Sequence, residues 1–363
     1  MHVKVSGSDR TCLEALQTYF FPSQNTQSLA NVFWQDILTS IDIGHSPSSC
    51  IISNLIQLWS TCIQQQHFDP VEYIFKLLSF AFLNIYDNLL DADGIYTMLA
   101  DSFQTTLEPY ALARMKENTH ALRLDQVKVL FECVLSAVDC PLHKSHLLRF
   151  WQVLRIDFIL MLLNARQDIE IVHGTIKLLM SSVREDDFGP PCSADIRPRH
   201  SNLLLDASTR LLTESSRTLA ASKKQQVRLD IIDFLHSIAF SGQPGITYLF
   251  NSNQVIPRLV KRISAELNSI YDQIEILDDS LRLIKKSVRT LHAIVTIHNP
   301  EHLAAKLAST LGAVHAHIEA MTRLSFGGDA TDRLTDISDL ARDLLELTVS
   351  PEEGDAIFEL FES

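Results

Sequence analysis

DPVEYIFKLLSFAFLNIYDNLL, Asp69 to Leu90, decides the fold class. Asp69 can accept hydrogen bonds from the first free N–H groups of a helix, and Pro70 brings a φ already suited to its first turn. Beyond them Val71, Ile74, Phe75, Leu77, Leu78, Phe80 and Phe82 place apolar side chains on more than one face of the helix. A helix of that kind is buried between two neighbours, as in the inner layer of a helical array. The run from Leu147 to Leu163 has the same character.

The same punctuation recurs outward from this segment. Ser46-Pro47, Asn299-Pro300 and Ser350-Pro351 each offer a cap followed by proline, and the chain holds only 11 glycines and 12 prolines. That scarcity suits long helices and leaves too few turn residues for a sandwich or barrel. Helices are expected near residues 10–21, 27–42, 47–67, 70–90, 94–116, 122–137, 143–165, 168–183, 199–221, 224–241, 253–271, 275–298, 300–322, 331–349 and 351–361. Their length and short links predict an all-α fold, an irregular HEAT/armadillo-like helical-repeat solenoid, although no residue signature repeats. Three prolines, a glycine and clustered charge interrupt the pattern in SVREDDFGPPCSADIRPR. The expected organisation is therefore a helical-repeat subdomain over 1–183, a surface loop over 184–198 and a second helical-repeat subdomain over 199–363.

A formal charge of −13, with 44 acidic against 31 basic residues, argues against an electrostatic nucleic-acid binder but leaves room for a local basic face. The six cysteines, at 12, 50, 62, 133, 140 and 192, form no CxxC pair and read as reduced, buried thiols of an intracellular protein. The first residues have no apolar signal-like core, and the run Phe150–Leu163 is interrupted by Arg155 and Asp157, so no membrane segment is expected.

Fragments of catalytic and metal motifs occur without their companions. Asp187-Phe188-Gly189 spells the kinase metal motif, yet no Gly-rich loop, strand lysine or H-R-D sequence accompanies it. Gly44-His45-Ser46 begins a nucleophile elbow whose second glycine is Ser48, and it reads better as a helix cap. A calcium loop counted from Asp91, with Asp93 and Gly94, fails because Tyr96 takes the glycine position and Ser102 that of the bidentate glutamate. Cys133, Cys140, His143 and His146 match no common zinc spacing, and Cys133 is expected in the core. Leu277, Leu281, Ile284, Val288, Leu291 and Val295 keep a four-three spacing with Lys285, Lys286 and Arg289 off the seam. Burial within the array explains that stripe better than a coiled coil. No catalytic residue, cofactor or metal is expected.

Two exposed features remain. The terminal TVSPEEGDAIFELFES carries Ile357, Phe358, Leu360 and Phe361 behind an acidic first turn. They form either a last helix closing the core or an aromatic anchor for a partner. Ser23-Gln24 and Thr26-Gln27 lie in the polar segment Pro22–Ser28, making Ser23 and Thr26 weak phosphorylation candidates.

IVHGTIKLLMSSVREDDFGPP, Ile171–Pro191, and LARDLLELTVSPEEGDAIFELF, Leu340–Phe361, in an acidic all-helical chain resemble the C-terminal helical region of the ATR-interacting protein family in its fungal form. The resemblance implies a non-catalytic nuclear adaptor that holds a large ATR-type phosphatidylinositol-3-kinase-related checkpoint kinase and helps deliver it to damaged DNA. It implies contact with nucleic acid only through a single-strand-binding protein, leaves self-association open, and makes SQ and TQ dipeptides substrates of such kinases. The family's N-terminal acidic segment and dimerising coiled coil have no counterpart here, so a C-terminal portion of such a protein is expected. Rival readings are another helical-repeat scaffold for a multiprotein complex and an all-α enzyme with a dispersed site.

Overall fold

The computed structural model describes residues 3–4, 10–43, 46–84, 92–139, 146–214, 221–272, 278–297, 300–326 and 329–348. It is an all-α helical-repeat solenoid with 17 α-helices and one small hairpin among those residues. The chain divides into two compact units, Met1–Ser182 and Val183–Ser363.

In the first unit α1 (Cys12–Leu16) opens with a capping box in which Thr11 Oγ1 accepts from Glu14 N–H and Glu14 Oε2 accepts from Thr11 N–H. The helix expected over 10–21 stops at Leu16. Phe20–Phe21 (β1) and Gln24–Ser28 (β2) pair antiparallel instead, and Pro22, which cannot continue a helix, sits in the turn. Next come α2 (Leu29–Asp42), α3 (Pro47–Gln64), α4 (Val71–Asn84), α5 (Ala92–Met115), α6 (Leu124–Val138), α7 (Leu147–Val153), α8 (Ile156–Leu162) and α9 (Ile169–Met180). One layer runs α4, α6, α9, each packed on the next; the other runs α3, α5 and then α7 and α8. As its two apolar faces require, α4 lies between α3 and α6, with Val71, Ile74, Phe75, Leu77, Leu78 and Phe82 buried.

The single helix expected over 143–165 is two. Leu154 and Arg155 adopt extended backbone, and Arg155 N–H is satisfied by Gln104 Oε1 at 3.1 Å while its guanidinium meets Glu108 at 2.5 Å. Packing partners on α5 thus outbid two helical hydrogen bonds. Phe103 of α5 lies 5.5–6.5 Å from the rings of Phe131, Phe150 and Phe158 and ties α6, α7 and α8 to one centre. Gly174 lets α9 approach this cluster, because a Cβ there would sit 2.6 Å from Phe131 Cδ1.

The second unit contains α10 (Arg197–Thr209), α11 (Ala221–Ser241), α12 (Gln243–Asn251), α13 (Val255–Asp272), α14 (Asp278–Val295), α15 (Pro300–Ala308), α16 (Ala313–Phe326), a 3-10 segment (Asp329–Ile337) and α17 (Ser338–Glu346). Its repeat is longer than a simple helix pair. The helices α10, α13 and α16 begin at 197, 255 and 313, a spacing of 58 residues each time, and α12 and α15 begin at 243 and 300, 57 apart. The repeat is therefore two long helices plus a short one. One layer stacks α10, α13, α16 and the other α11, α14, α17, while α12 and α15 fill the links. The helix expected over 224–241 is α11, α12 follows Gly242 where no helix was expected, and a link at 309–312 splits the helix expected as continuous over 300–322.

Candidate functional site

The structure gives most of the motif fragments a structural occupation. Both oxygens of Asp187 have protein partners: its Oδ2 receives Arg184 Nη2 at 2.9 Å and Arg197 Nη2 at 2.6 Å, and its Oδ1 accepts from Phe188 N–H at 2.7 Å. Arg197 also donates to the carbonyls of Pro190 and Cys192. Phe188 is buried edge-on against Phe234 and Tyr248, and Gly189 holds φ +75 where a Cβ would meet Leu204 at 2.7 Å. The irregular segment between α9 and α10 is thus a buckle with an apolar core.

Ser46 caps α3 by position, with Pro47 at its first turn and no side-chain hydrogen bond; Gly44 and His45 lie outside the described residues. Asp93 bonds His146 Nδ1 at 2.7 Å and Arg149 Nε at 3.2 Å, and the His146 hydrogen bond holds its carboxyl below the ordinary range. Asp91, Cys140 and His143 are outside the described residues, whereas Cys133 is fully buried with its thiol pushed up by burial. Among the described residues no cluster of His, Cys, Asp or Glu could hold a metal, and no helix is long and apolar enough to cross a membrane. Ser23 and Thr26 are exposed on the hairpin, Ser23 Oγ donating to Gln65 Oε1 at 3.0 Å. Ile357, Phe358, Leu360 and Phe361 lie outside the described residues.

The stripe on α14 is core, with Leu281, Ile284, Val288, Leu291 and Val295 buried; Leu277 is outside the described residues. Beside the stripe lies a groove of about 560 Å³ lined by Leu281 and by Asp278, Asp279, Arg282, Lys285, Lys286, Arg289 and Arg333. This is the local basic face, and it is a lattice of ion pairs. Lys286 and Arg282 share Asp233 of α11, Lys285 and Arg289 share Asp336 of the 3-10 segment at 2.5 and 2.9 Å, and Arg333 meets Asp278 at 2.5 Å. His292 adds a 3.2 Å contact to Asp343, and His236 bonds Thr290 at 3.0 Å. Burial, reinforced by Lys286, holds His236 below the ordinary histidine range. Each cation has a carboxylate in reach, so the face joins three tiers of helices; an incoming anion would have to displace Asp233 or Asp336. The acids lie 47–55 residues from their partners, which hides the arrangement from a local reading of α14.

Comparison with known proteins gives the family. The helical-repeat model described as Rad26-like matches residues 100–295, and the Rad26-like C-terminal domain matches 301–361. No curated protein matches the chain. Among solved structures, Myceliophthora thermophila Rad26 (residues 373–841) superposes with a TM-score of 0.74 at 23% identity, covering 93% of this chain and 96% of that one. That likeness establishes the fold. An engineered protein at 10% identity covers 86% of this chain and 90% of its own with a TM-score of 0.30, too low to bear on it. The resemblance to ATR-interacting proteins treats the chain as one C-terminal helical region. The matching models carry a different description and set 301–361 apart as a domain, so the assignment is corrected to theirs, with which the resemblance is compatible. Matched over more than half its length by the helical-repeat model, the chain belongs to the Rad26-like family.

Proposed function

We propose that this protein is a non-catalytic adaptor of the DNA damage checkpoint, a nuclear regulatory subunit that holds a large ATR-type phosphatidylinositol-3-kinase-related kinase. The observation that supports it best is its membership of a helical-repeat family in which the repeats themselves are the matched feature. Stacked repeats present extended surfaces to a partner, and the side chains that spell catalytic fragments, Asp187 above all, are spent on the frame. The acidic terminal segment with Ile357, Phe358, Leu360 and Phe361 is the anchor on the kinase, and Ser23 and Thr26, each followed by Gln, are its phosphorylation sites. With a net charge of −13 and its basic groove internally paired, the protein meets nucleic acid only through a single-strand-binding protein and uses no cofactor.

Affinity purification of the tagged chain from its native nucleus, followed by mass spectrometry, tests this reading. A very large kinase at near-equal abundance is expected. Recovery of the chain with other partners and no such kinase overturns it.

A further inference from the structure

The chain from Thr11 to Phe75 contains no lysine or arginine, in a protein that has 31 of them. Solvent-facing helices ordinarily carry such residues, and depletion of charge together with exposed aromatic and aliphatic side chains is the compositional mark of an interface core. Within this stretch α2 buries Leu29, Ala30, Phe33 and Ile37 against its neighbours α1, α3 and β2. It also exposes Trp34 (47%), Leu38 (61%) and Ile41 (38%). At 3.6 residues per turn these three fall within about 60° of one another, beside the buried face rather than opposite it. Its apolar surface is therefore wide enough for two neighbours. The described residues supply a neighbour for only one side.

The border of the strip is polar and acidic. Asn31, Gln35 and Asp42 flank it, and Asp42 forms no ion pair among the described residues. Other acids of the stretch are engaged, Glu14 in the α1 cap and Glu72 with Lys76. A second copy of the chain, with no lysine or arginine over Thr11–Phe75, would bring no cation to Asp42 from its own strip.

We infer that α2 is a docking strip for an amphipathic helix of another protein, one whose apolar stripe is flanked by lysine or arginine. The partner helix lays its apolar residues along Trp34, Leu38 and Ile41, in the i, i+4, i+7 pattern of helix-in-groove recognition, and its basic flank answers Asp42. Charge complementarity sets orientation and encounter rate, and the three apolar side chains supply the binding energy. This surface is distinct from the terminal segment and does not depend on the kinase being the partner.

Trp34 makes the test direct, because the other two tryptophans, Trp59 and Trp151, are buried. The whole chain is titrated at physiological ionic strength with a Leu/Lys amphipathic helical peptide, and with the same pattern in which Glu replaces Lys. Fluorescence emission and acrylamide quenching report Trp34. The Leu/Lys peptide should blue-shift and protect Trp34, and the Leu/Glu peptide should do neither. A Leu38→Asn/Ile41→Asn double variant, whose changes are exposed and leave charge unaltered, should bind about tenfold more weakly or worse. A far-ultraviolet dichroism spectrum unchanged from the parent shows that it is folded. The inference is overturned by no response to the Leu/Lys peptide, by equal response to both peptides, or by undiminished binding of the folded double variant. A concentration-dependent dimer that shields Trp34 also overturns it and gives the strip to a second copy.

Discussion

Protonating His317 should destabilise the second unit. Its ring is fully buried on α16, where Nε2 donates to the Leu344 carbonyl of α17 at 3.1 Å and Nδ1 has no partner among the described residues. A second proton would go to Nδ1, which is buried with no acceptor among the described residues. Burial accordingly lowers its pKa from 6.5 to about 4, only partly opposed by the Leu344 hydrogen bond. The unfolded chain thus binds the proton more readily than the fold does. The contribution of neutral His317 is fully present above pH 6.5 and is lost as pH falls toward 4. With about 1.4 kcal/mol per pH unit, the loss reaches about 2 kcal/mol by pH 5 and about 3 kcal/mol at pH 4. Urea denaturation at pH 7.5 and pH 5, on the parent and on His317→Gln, isolates this effect, since carboxylates elsewhere titrate equally in both. The parent should lose about 2 kcal/mol more than the variant over that interval. Equal losses, or a His317 ring resonance titrating near pH 6.5 in the folded chain, would refute the reasoning.

Gly174→Ala gains about 1 kcal/mol of helix propensity but drives a methyl into Phe131; a net destabilisation of about 1–2 kcal/mol, read as a lower urea midpoint, is expected. Asp187→Ala leaves Arg197 largely buried with only the Pro190 and Cys192 carbonyls for company and should cost about 3 kcal/mol in thermal or chemical denaturation, with no change in metal content. On the adaptor reading, Phe358→Ala/Phe361→Ala should weaken kinase association by about 2–4 kcal/mol in a quantitative pull-down while leaving the melting temperature in place; a lowered melting temperature with intact binding assigns those rings to the core instead.

Apolar period and proline punctuation carry the helical character of the chain, because α4 must bury two faces whatever its surroundings, and the stripe on α14 must be covered. What they leave out is tertiary. Nothing local to Leu154 and Arg155 announces the break between α7 and α8, since Gln104 and Glu108, some fifty residues earlier, make it favourable. The 58-residue spacing is invisible because it is a repetition of element lengths and not of residue types. The buckle around Asp187 reads as a loop because prolines and charge dominate its composition, while Phe188, its one aromatic residue, supplies the core. At the surface, the sequence marks the α2 strip only negatively, through the absence of basic residues over Thr11–Phe75. Trp34, Leu38 and Ile41 look like ordinary core until the packing leaves them uncovered.

The reach of the bonds between tiers has a bearing on synthesis. Within each unit the side-chain hydrogen bonds and ion pairs that join successive tiers close over roughly one repeat: Tyr96 to Ala137 across 41 residues, Ser264 to Glu319 across 55, Gln126 to Phe68 and Tyr110 to Asp168 across 58. A ribosome adding about 5–20 residues per second delivers the partner of any such helix about 2–12 seconds after the helix itself. Each tier can settle on the one before it while the rest of the chain is still unmade, and an apolar face waits for cover no longer than that interval.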